Sequence, residues 1–422
     1  MRATLLVVLV SFSALAQAPV LEISGATFRP LPLAYAAPAT QDDGAKAHAR
    51  ELDEALQFDF SACGLFSLLD RKSFLADAKE GVTASSINFT NWTNVGAEIL
   101  VKVQLASDGD QLKGDLRLFT VNAGREELKV SESAPAKDTR RLAHKLANAV
   151  YKYFTKETGP FETHLAWTKK TAQGKDVYLS DWDGRNPVPV SVGGINTLPT
   201  IGPAGQVGFT SFKKGKPDLW LWKGGTAETL VSSGRMATGI AFSPDGKRIA
   251  YSLADGESAQ IYVANADASA PRQLTNTPFF INTSPAWSPD GKRLAFVSNR
   301  GGTPQVYVMS ADGGDAKRLT FQGNYNQTPD WSPRGDLIAF TARDERNAFD
   351  LFTVNVDSGK ITRLTQDQGN NEEPSFSPNG RLIVFTSTRS GPSQLYVMTF
   401  DGNNQTALPV EKGTYSTPAW GK

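Results

Sequence analysis

Residues 284–320 read SPAWSPDGKRLAFVSNRGGTPQVYVMSADGGDAKRLT, and this stretch decides the fold. It predicts four short strands, SPAW, RLAFVS, QVYVMS and KRLT, because RLAFVS and QVYVMS alternate large and small apolar residues with period 2 and turn residues separate the four segments. The Pro-Asp-Gly turn at 289–291 and the Gly-Gly-Thr-Pro break at 301–304 favour an antiparallel order. Four such strands cannot bury both faces of their sheet alone, so the unit must stack against copies of itself.

Copies of this unit fill the C-terminal part of the chain. The third strand recurs as DVYLS, DLWLW, QIYVA, QVYVM, DLFTV and QLYVM. A large aromatic residue that closes the second strand recurs in step with it, at Trp167, Phe209, Tyr251, Phe296, Phe340 and Phe385. A four-stranded unit with a period of about 40–45 residues is typical of β-propellers. The sequence therefore predicts an all-β, six-bladed β-propeller.

The two ends of the repeat array indicate how the ring closes. No first strand precedes THLAW at 163–167, but a strand of that type, STPAW, stands at 416–420. We therefore expect residues 161–422 to form the propeller, with strand 416–420 as the innermost strand of blade one. Closure of this kind removes the open sheet edges that would otherwise promote aggregation.

The N-terminal residues have the pattern of a secretory signal peptide. Arg2 supplies the charge, Leu5–Val10 form a short apolar run, and Ala14-Leu15-Ala16 is a small-x-small cleavage site. We expect residues 1–16 to be removed. No cysteine directly follows the cut, which argues against a lipid anchor, so the mature protein is expected to be exported without insertion into a membrane.

Residues 17–157 have a different rhythm and predict a small α/β domain with a mixed sheet. Apolar residues fall at helical spacing between 43 and 58, and three strands are expected at 97–106, 111–121 and 125–133. VLEISG at 20–25 is expected to be a short strand, whereas PLPLAYAAP is interpreted as an irregular Pro-rich passage. Asp138 is expected to cap the last helix.

Composition and motifs give little indication of chemistry. The 44 basic and 43 acidic residues balance, which argues against a nucleic-acid partner. There is no nucleophile elbow, P-loop or HExxH motif, and the three histidines are scattered. The lone Cys63 lies in an apolar setting that favours a buried, inert thiol. We therefore predict no catalytic residue, cofactor or metal. A secreted, lyase-like propeller enzyme acting on polysaccharide stays open as the alternative.

The order of these parts resembles the TolB family, the periplasmic component of the Tol–Pal system. The resemblance rests on the GPFET junction at 159–163, the LDR sequence at 69–71 and the SPDG-type blades ending in PAW. It covers essentially the whole mature chain. It implies a non-enzymatic periplasmic protein that binds the lipoprotein Pal through the propeller and TolA through the mature N-terminal segment. It also implies a role in outer-membrane integrity and in constriction during cell division.

Six loops lead from a fourth strand into the next blade, and we call them the mouth loops: 191–199, 232–239, 276–284, 321–328, 366–373 and 411–416. They are rich in Asn, Gln, Thr and Gly, whose side chains and backbone can hydrogen-bond a partner, and they should lie on the face away from the small domain. Plain solvated loops are the other interpretation. The residues predicted to bind Pal are Met236, Thr238, Asn282, Thr283, Asn326, Gln327, Thr328, Asn371, Glu372 and Glu373.

Two further expectations concern the N-terminal segment and the channel. Leu21, Glu22 and Ile23 are predicted to bind TolA as an extended strand added to a partner's sheet edge. The alternative is that they form an edge strand of the small domain. The acidic residues Asp330, Glu372 and Glu373 leave open whether a cation enters the channel. The protein is expected to be a monomer.

Overall fold

The computed structural model describes residues 29–77 and 79–422. The expected signal peptide, the VLEISG strand and the predicted TolA-binding residues Leu21, Glu22 and Ile23 lie outside these ranges. Within them, none of the helices combines the length and the hydropathy that a bilayer span requires.

The N-terminal domain combines three α-helices with a six-stranded mixed sheet. Its elements in chain order are β1 (Leu31–Tyr35), β2 (Ala39–Thr40), α1 (Asp43–Ala62), β3 (Phe66–Leu68), α2 (Phe89–Asn94), β4 (Ile99–Asp108), β5 (Gln111–Thr120), β6 (Arg125–Pro135) and α3 (Thr139–Thr155). The sheet order is β3-β1-β4-β5-β6, with β2 paired to β4. Strand β1 is parallel to both of its neighbours, whereas β4, β5 and β6 are antiparallel.

Strand β1 corrects the interpretation of PLPLAY as an irregular passage. Leu33 and Tyr35 are fully buried in the core that the sheet forms with α1 and α3. Pro32 is tolerated because the pairing of β1 with β4 begins only at Leu33, opposite Ile99. Its missing N–H therefore interrupts no ladder with β4.

The helix ends follow the sequence only in part. Asp42 caps α1, since its carboxylate accepts a hydrogen bond from the N–H of Ala45 at 2.7 Å. The expected cap at α3 is wrong: Asp138 precedes the helix, but its side chain makes no capping bond. A 3-10 turn leads into α3 instead, and the Thr139 hydroxyl donates to the carbonyl of Ala136. At the end of α1, burial raises the pKa of Cys63 to about 12, so this thiol is unreactive at neutral pH.

The C-terminal part is a ring of six four-stranded blades. In blades one to three the strands are β7 (His164–Thr171), β8 (Gly174–Asp181), β9 (Val188–Pro189); β10 (Gly194–Ile201), β11 (Val207–Lys214), β12 (Lys216–Trp222), β13 (Ala227–Val231); β14 (Met236–Phe242), β15 (Arg248–Asp255), β16 (Ser258–Asn265) and β17 (Arg272–Gln273). The other strands are β18 (Asn282–Trp287), β19 (Arg293–Ser298), β20 (Gln305–Ser310), β21 (Lys317–Arg318); β22 (Asn326–Trp331), β23 (Leu337–Arg343), β24 (Phe349–Asn355), β25 (Ile361–Arg363); β26 (Asn371–Phe376), β27 (Leu382–Ser387), β28 (Gln394–Thr399), β29 (Thr406–Ala407) and β30 (Tyr415–Gly421).

The inner strand of blade one comes from the far end of the chain. Strand β30 pairs antiparallel with β7, and Ala419 lies opposite Ala166. The indole of Trp420 stacks on that of Trp182, and its N–H donates to the Thr163 hydroxyl at 2.7 Å. Thr163 belongs to the GPFET junction, so the junction and the closing strand hold each other in place.

The propeller has two different faces. The mouth face carries the mouth loops, and the turn face carries the turns from each first strand to the second. The N-terminal domain docks on the turn face. There the carboxylate of Glu157, after α3, accepts from the guanidinium of Arg381 at 2.9 and 3.0 Å, and Arg334 pairs with the same carboxylate.

Buried polar groups complete this domain interface. Asp183, in the loop from β8 to β9, is fully buried and pairs with Arg140 of α3. Trp182 donates its indole N–H to Asp59 of α1 at 3.0 Å, and the other oxygen of Asp59 lies 2.8 Å from Nδ1 of His144. The charges at this interface are therefore paired within the protein.

Candidate functional site

The six inner strands line a central channel, and each one contains a β-bulge at the same place. The pairing of β10, β14, β18, β22, β26 and β30 with their neighbours shifts register once per strand. The bulges and the turn-face halves of these strands surround a cavity of about 530 Å³. Bulges of this kind bend the strand and re-aim its side chains.

At each bulge one residue has left-handed backbone geometry and lines this cavity. These residues are Leu198, Gly239, Ser284, Thr328, Glu373 and Thr417. Their φ values lie between 49° and 65°. Only one of the six is glycine, so the chain accepts a conformational cost at five positions. Backbone strain of this kind is concentrated at functional sites, which directs attention to the channel.

Hydrogen bonds connect the bulges to the neighbouring blades. The N–H of Glu373 donates to the Thr341 hydroxyl of the preceding blade at 2.9 Å, and the N–H of Gly239 donates to Thr210 at 3.2 Å. The Glu373 carboxylate in turn accepts from the N–H of Thr417 in blade one. The bulges are therefore held in place across the blade boundaries.

Carboxyl groups on blades five and six face the channel. Burial raises the pKa of Asp330 to about 6 and that of Glu373 to about 7, and it also raises the pKa of Glu372. Asp330 and Glu373 line the channel cavity and are partly protonated near neutral pH, so they can donate as well as accept hydrogen bonds.

In the described part of the chain, the residues that come close enough to share a metal ion are His144, Asp181 and Asp183, at the domain interface. There the Arg140 guanidinium already pairs with Asp183. A cation competing for this carboxylate would have to displace a buried guanidinium. The cluster is therefore better explained as an ion-pair network than as a metal centre.

Three of the residues predicted to bind Pal are buried beneath the mouth surface. Asn282, Asn326 and Asn371 are at most 1% exposed. Their amides donate to the third strand of the preceding blade: Asn282 to Gln260 at 3.0 Å and Asn326 to Gln305 at 2.8 Å. These three side chains are therefore engaged within the propeller and not presented at the mouth surface.

These asparagines belong to a repeated latch between blades. The acceptor of Asn371 is Oδ1 of Asp350, 3.0 Å away, and the same oxygen accepts from the Thr365 hydroxyl at 2.6 Å. Gln260 accepts in the same way from Thr275 at 2.8 Å. Each latch joins the inner strand of one blade to the third strand of the blade before it, at an acceptor that also binds the threonine following that blade's fourth strand.

The other predicted residues keep access to solvent. Thr238, Thr283, Gln327, Thr328, Glu372 and Glu373 are partly exposed, and Met236 is exposed. Met236 is not the counterpart of Asn282 in blade three. Ala237 takes that place, because it lies two residues before the bulge of its strand, as Asn282 does.

The mouth loops also expose apolar side chains that the sequence analysis did not select. Of the ten large hydrophobic residues that are exposed in the described chain, seven lie in these loops. They are Val192, Ile195, Met236, Phe279, Phe280, Ile281 and Phe321. The run Phe279-Phe280-Ile281 in an otherwise polar loop is the signal that could have identified them. A concentration of exposed apolar side chains is typical of a protein–protein interaction site.

The fold defines a class: two-domain β-propeller proteins with an α/β N-terminal domain. Comparison with known families agrees with this class. Residues 151–422 match the model of the TolB beta propeller domain, and residues 19–127 match that of the TolB amino-terminal domain. The chain belongs to the TolB family.

Curated relatives and a solved structure extend the match to nearly the full length. The chain is 64% identical to the Tol-Pal system protein TolB of Myxococcus xanthus strain DK1622, over 98% of this chain and 97% of the relative. It is 45% identical to that of Anaeromyxobacter dehalogenans strain 2CP-C, over 96% and 93%. The crystal structure of TolB from Acinetobacter baumannii shares the fold, with a TM-score of 0.80, 24% identity and coverage of 96% and 98%.

Proposed function

We propose that this chain is a periplasmic, non-enzymatic scaffold of the Tol–Pal system. It binds the lipoprotein Pal at the mouth face and TolA through the mature N-terminal segment, and it acts in outer-membrane integrity and constriction during division. The names of its relatives support a Tol–Pal role, and they favour a scaffold over a polysaccharide lyase.

The observation that carries the Pal proposal is the contrast between the mouth surface and its buried asparagines. Seven exposed apolar side chains lie in the mouth loops, which also carry partly exposed Thr, Gln and Glu residues, and the N-terminal domain docks on the opposite face. Apolar anchors beside hydrogen-bonding groups are the composition of a protein-binding patch. The latch asparagines support this surface from beneath without contacting the partner.

The test is calorimetric titration of the purified Pal domain into the mature protein. Thr283→Ala combined with Gln327→Ala is expected to weaken Pal binding at least roughly tenfold, because each change removes a hydrogen-bonding group from the rim. Phe279→Ser is expected to weaken it by a similar factor, since this side chain is 82% exposed and free to anchor a partner. None of these changes should alter the melting temperature much.

The matched controls lie on the turn face. Asp290→Ala and Lys292→Ala change exposed residues of the turn in blade four and should leave Pal affinity unchanged. Asp290→Ala is expected to cost some stability, because its carboxylate accepts from Ser288 at 2.6 Å. Parental affinity in the mouth variants would place the Pal site elsewhere.

The TolA proposal concerns residues 17–27. Removing them is expected to abolish TolA binding while leaving the propeller folded, because Leu21, Glu22 and Ile23 would no longer be present to add a strand to a TolA sheet. Pull-down with the purified TolA domain measures binding, and circular dichroism checks the fold. Equal capture of TolA by the truncated and intact proteins would contradict this assignment.

A further inference from the structure

Blade four contains an arginine clasp at the mouth end of its second strand. The guanidinium of Arg300 donates from Nε to the Ser298 hydroxyl at 2.9 Å and from Nη2 to Oδ1 of Asn282 at 2.7 Å. It also lies over the ring of Phe296, 5.4 Å from the centroid. The clasp thus satisfies the side-chain oxygen of the latch asparagine and covers an aromatic ring.

Blade six repeats the clasp with the same residue types. Arg389 donates to the Ser387 hydroxyl at 2.8 Å and to Oδ1 of Asn371 at 2.9 Å, and it lies 5.5 Å from the centroid of the Phe385 ring. The inner-strand asparagine is paired with the serine in both blades. A guanidinium at this place is therefore a recurrent part of the blade.

Blade five lacks the clasp. Ala342 takes the place of the serine, as its pairing with Asn326 shows, and Asp344 takes the place of the arginine. The arginine of this blade, Arg343, comes one residue earlier in the chain. Its guanidinium lies instead over the rings of Tyr325 and Phe349, at 5.1 and 5.0 Å.

The consequence is a latch asparagine whose carbonyl is not satisfied. Asn326 is 1% exposed, and its amide nitrogen donates to Oε1 of Gln305 at 2.8 Å and to the carbonyl of Gln322 at 3.0 Å. These two acceptors fix the orientation of the amide, so Oδ1 is the atom left over. It accepts no hydrogen bond from any described residue. An unpaired buried carbonyl is costly, which makes it a strong site for a donor.

A cavity of about 560 Å³ lies at this place on the mouth face. Asn326, Phe340 and Ala342 line it, together with Glu345 and with Asp344, whose carboxylate already pairs with Arg346 and Arg363. Arg363 also lines it, but two carboxylates, those of Asp344 and Asp350, hold its guanidinium at 2.9 and 2.5 Å. The charge of Arg363 is therefore neutralised within the blade.

We propose that this cavity binds a guanidinium group of another molecule, the side chain of an arginine, which donates to Oδ1 of Asn326. The donor enters from the side that Arg300 and Arg389 take in the sister blades. A planar guanidinium matches this place because it combines several N–H donors with a face that stacks on an aromatic ring. This proposal does not rest on Pal binding, and its test does not involve Pal.

The test is ligand-observed NMR titration of the mature protein with N-acetyl-L-arginine amide. Saturable binding is expected. N-acetyl-L-citrulline amide has nearly the same shape but a neutral urea group, and it is expected to bind at least roughly tenfold more weakly because it lacks the charge-assisted donor. Equal binding of the two compounds, or no saturable binding of the arginine compound, would overturn the proposal.

Two variants locate the binding in blade five. The triple change Ala342→Ser, Arg343→Asn and Asp344→Arg gives blade five the Ser-Asn-Arg sequence of blade four. The new arginine side chain should then occupy the site of the bound guanidinium. Ala342→Leu narrows the cavity with a single apolar change, should the triple variant not fold. Each is expected to weaken binding of the arginine compound at least roughly tenfold, whereas unchanged affinity in a folded variant would refute the site.

Free L-arginine distinguishes the two sources of a guanidinium. If the capped compound binds as tightly as free arginine or more tightly, the site takes an arginine side chain within a polypeptide. If free arginine binds more than tenfold more tightly, the site takes the amino acid itself. Both results support a guanidinium site.

Discussion

The six blades share their sequence motifs, but the two faces of the propeller differ in surface chemistry. On the turn face the N-terminal domain contacts blades five, six and one, and Arg140, Asp183 and Glu157 are paired across the boundary. On the mouth face, aromatic and aliphatic side chains such as Phe279 and Phe321 stand in solvent, at 82% and 71% exposure.

The contrast is between a face that another part of the chain covers and a face that stays open. On the covered turn face, charged and polar groups are buried and paired. On the mouth face, apolar groups stay exposed and polar groups beneath them are hydrogen-bonded, as the Asn282 and Asn371 latches show. Changes to each face should therefore have different effects on the stability of the protein.

Deleting residues 414–422 should have the largest effect, because it removes β30, which contributes to both faces. Blade one then loses its inner strand, and the edge of β7 opens toward the channel. We expect a large drop in melting temperature and aggregation on expression. Removing the exposed Lys422 alone is the control and should change nothing. A parental melting temperature in the longer truncation would mean that the ring closes in another way.

Asp183→Ala should destabilise the turn face alone. The substitution leaves the Arg140 guanidinium buried without its carboxylate, a loss that typically costs about 3–5 kcal/mol of unfolding free energy. Chemical denaturation followed by circular dichroism measures it.

The matched control for this prediction is Glu54→Ala. It breaks an ion pair with Arg50 in which both side chains are exposed, and it should cost less than about 1 kcal/mol. Replacing Asp183 and Arg140 together by leucine should recover much of the loss, since no unpaired charge is then buried. Similar losses for the buried and the exposed pair would contradict this account of the interface.

Glu373→Gln should have the smallest effect, one that depends on pH. Burial raises the pKa of Glu373 to about 7 from an ordinary value of 4.5, so the folded state keeps a proton that the unfolded chain releases. The free energy of unfolding therefore falls as pH rises from about 4.5 to about 7, and this contribution is constant above that range. Glutamine cannot ionise, but its carbonyl can still accept from the N–H of Thr417.

Melting temperatures at pH 5, 6, 7 and 8 check this prediction. The difference between the variant and the parent should shift in favour of the variant as pH rises. Glu411→Gln changes an exposed carboxylate and serves as the control. A difference that is constant across this pH range would show that Glu373 ionises as it does in the unfolded chain.

The sequence predicted the fold class because the signals are local and repeated. Strand alternation, the SPDG turns and the aromatic at the end of each second strand all lie within one blade of about 40–45 residues. Strand β1 was not predicted because the prolines of PLPLAY interrupt the alternation of apolar and polar residues. In addition, its parallel partners β3 and β4 lie far along the chain.

The candidate binding surface was harder to predict, because burial in the mouth loops depends on the neighbouring blade. Asn282 and Thr283 are adjacent and equally polar, yet one is buried and the other is partly exposed. What separates them is Gln260, on the preceding blade, which accepts the amide of Asn282. No pattern within the loop records this partner. The exposed Phe279, in contrast, was visible in the sequence but did not match the expectation of a polar rim.

The position of the closing strand has a consequence for how the protein is made. Thr417 and Thr168 join their hydroxyls at 2.8 Å, although 249 positions separate them in the chain. Blade one therefore stays incomplete until the other five blades have been synthesised. Because a contact of such long range forms slowly, the ring closes late in folding. Late closure is compatible with the periplasmic location that we propose, since an exported chain would fold only after it has left the cytoplasm.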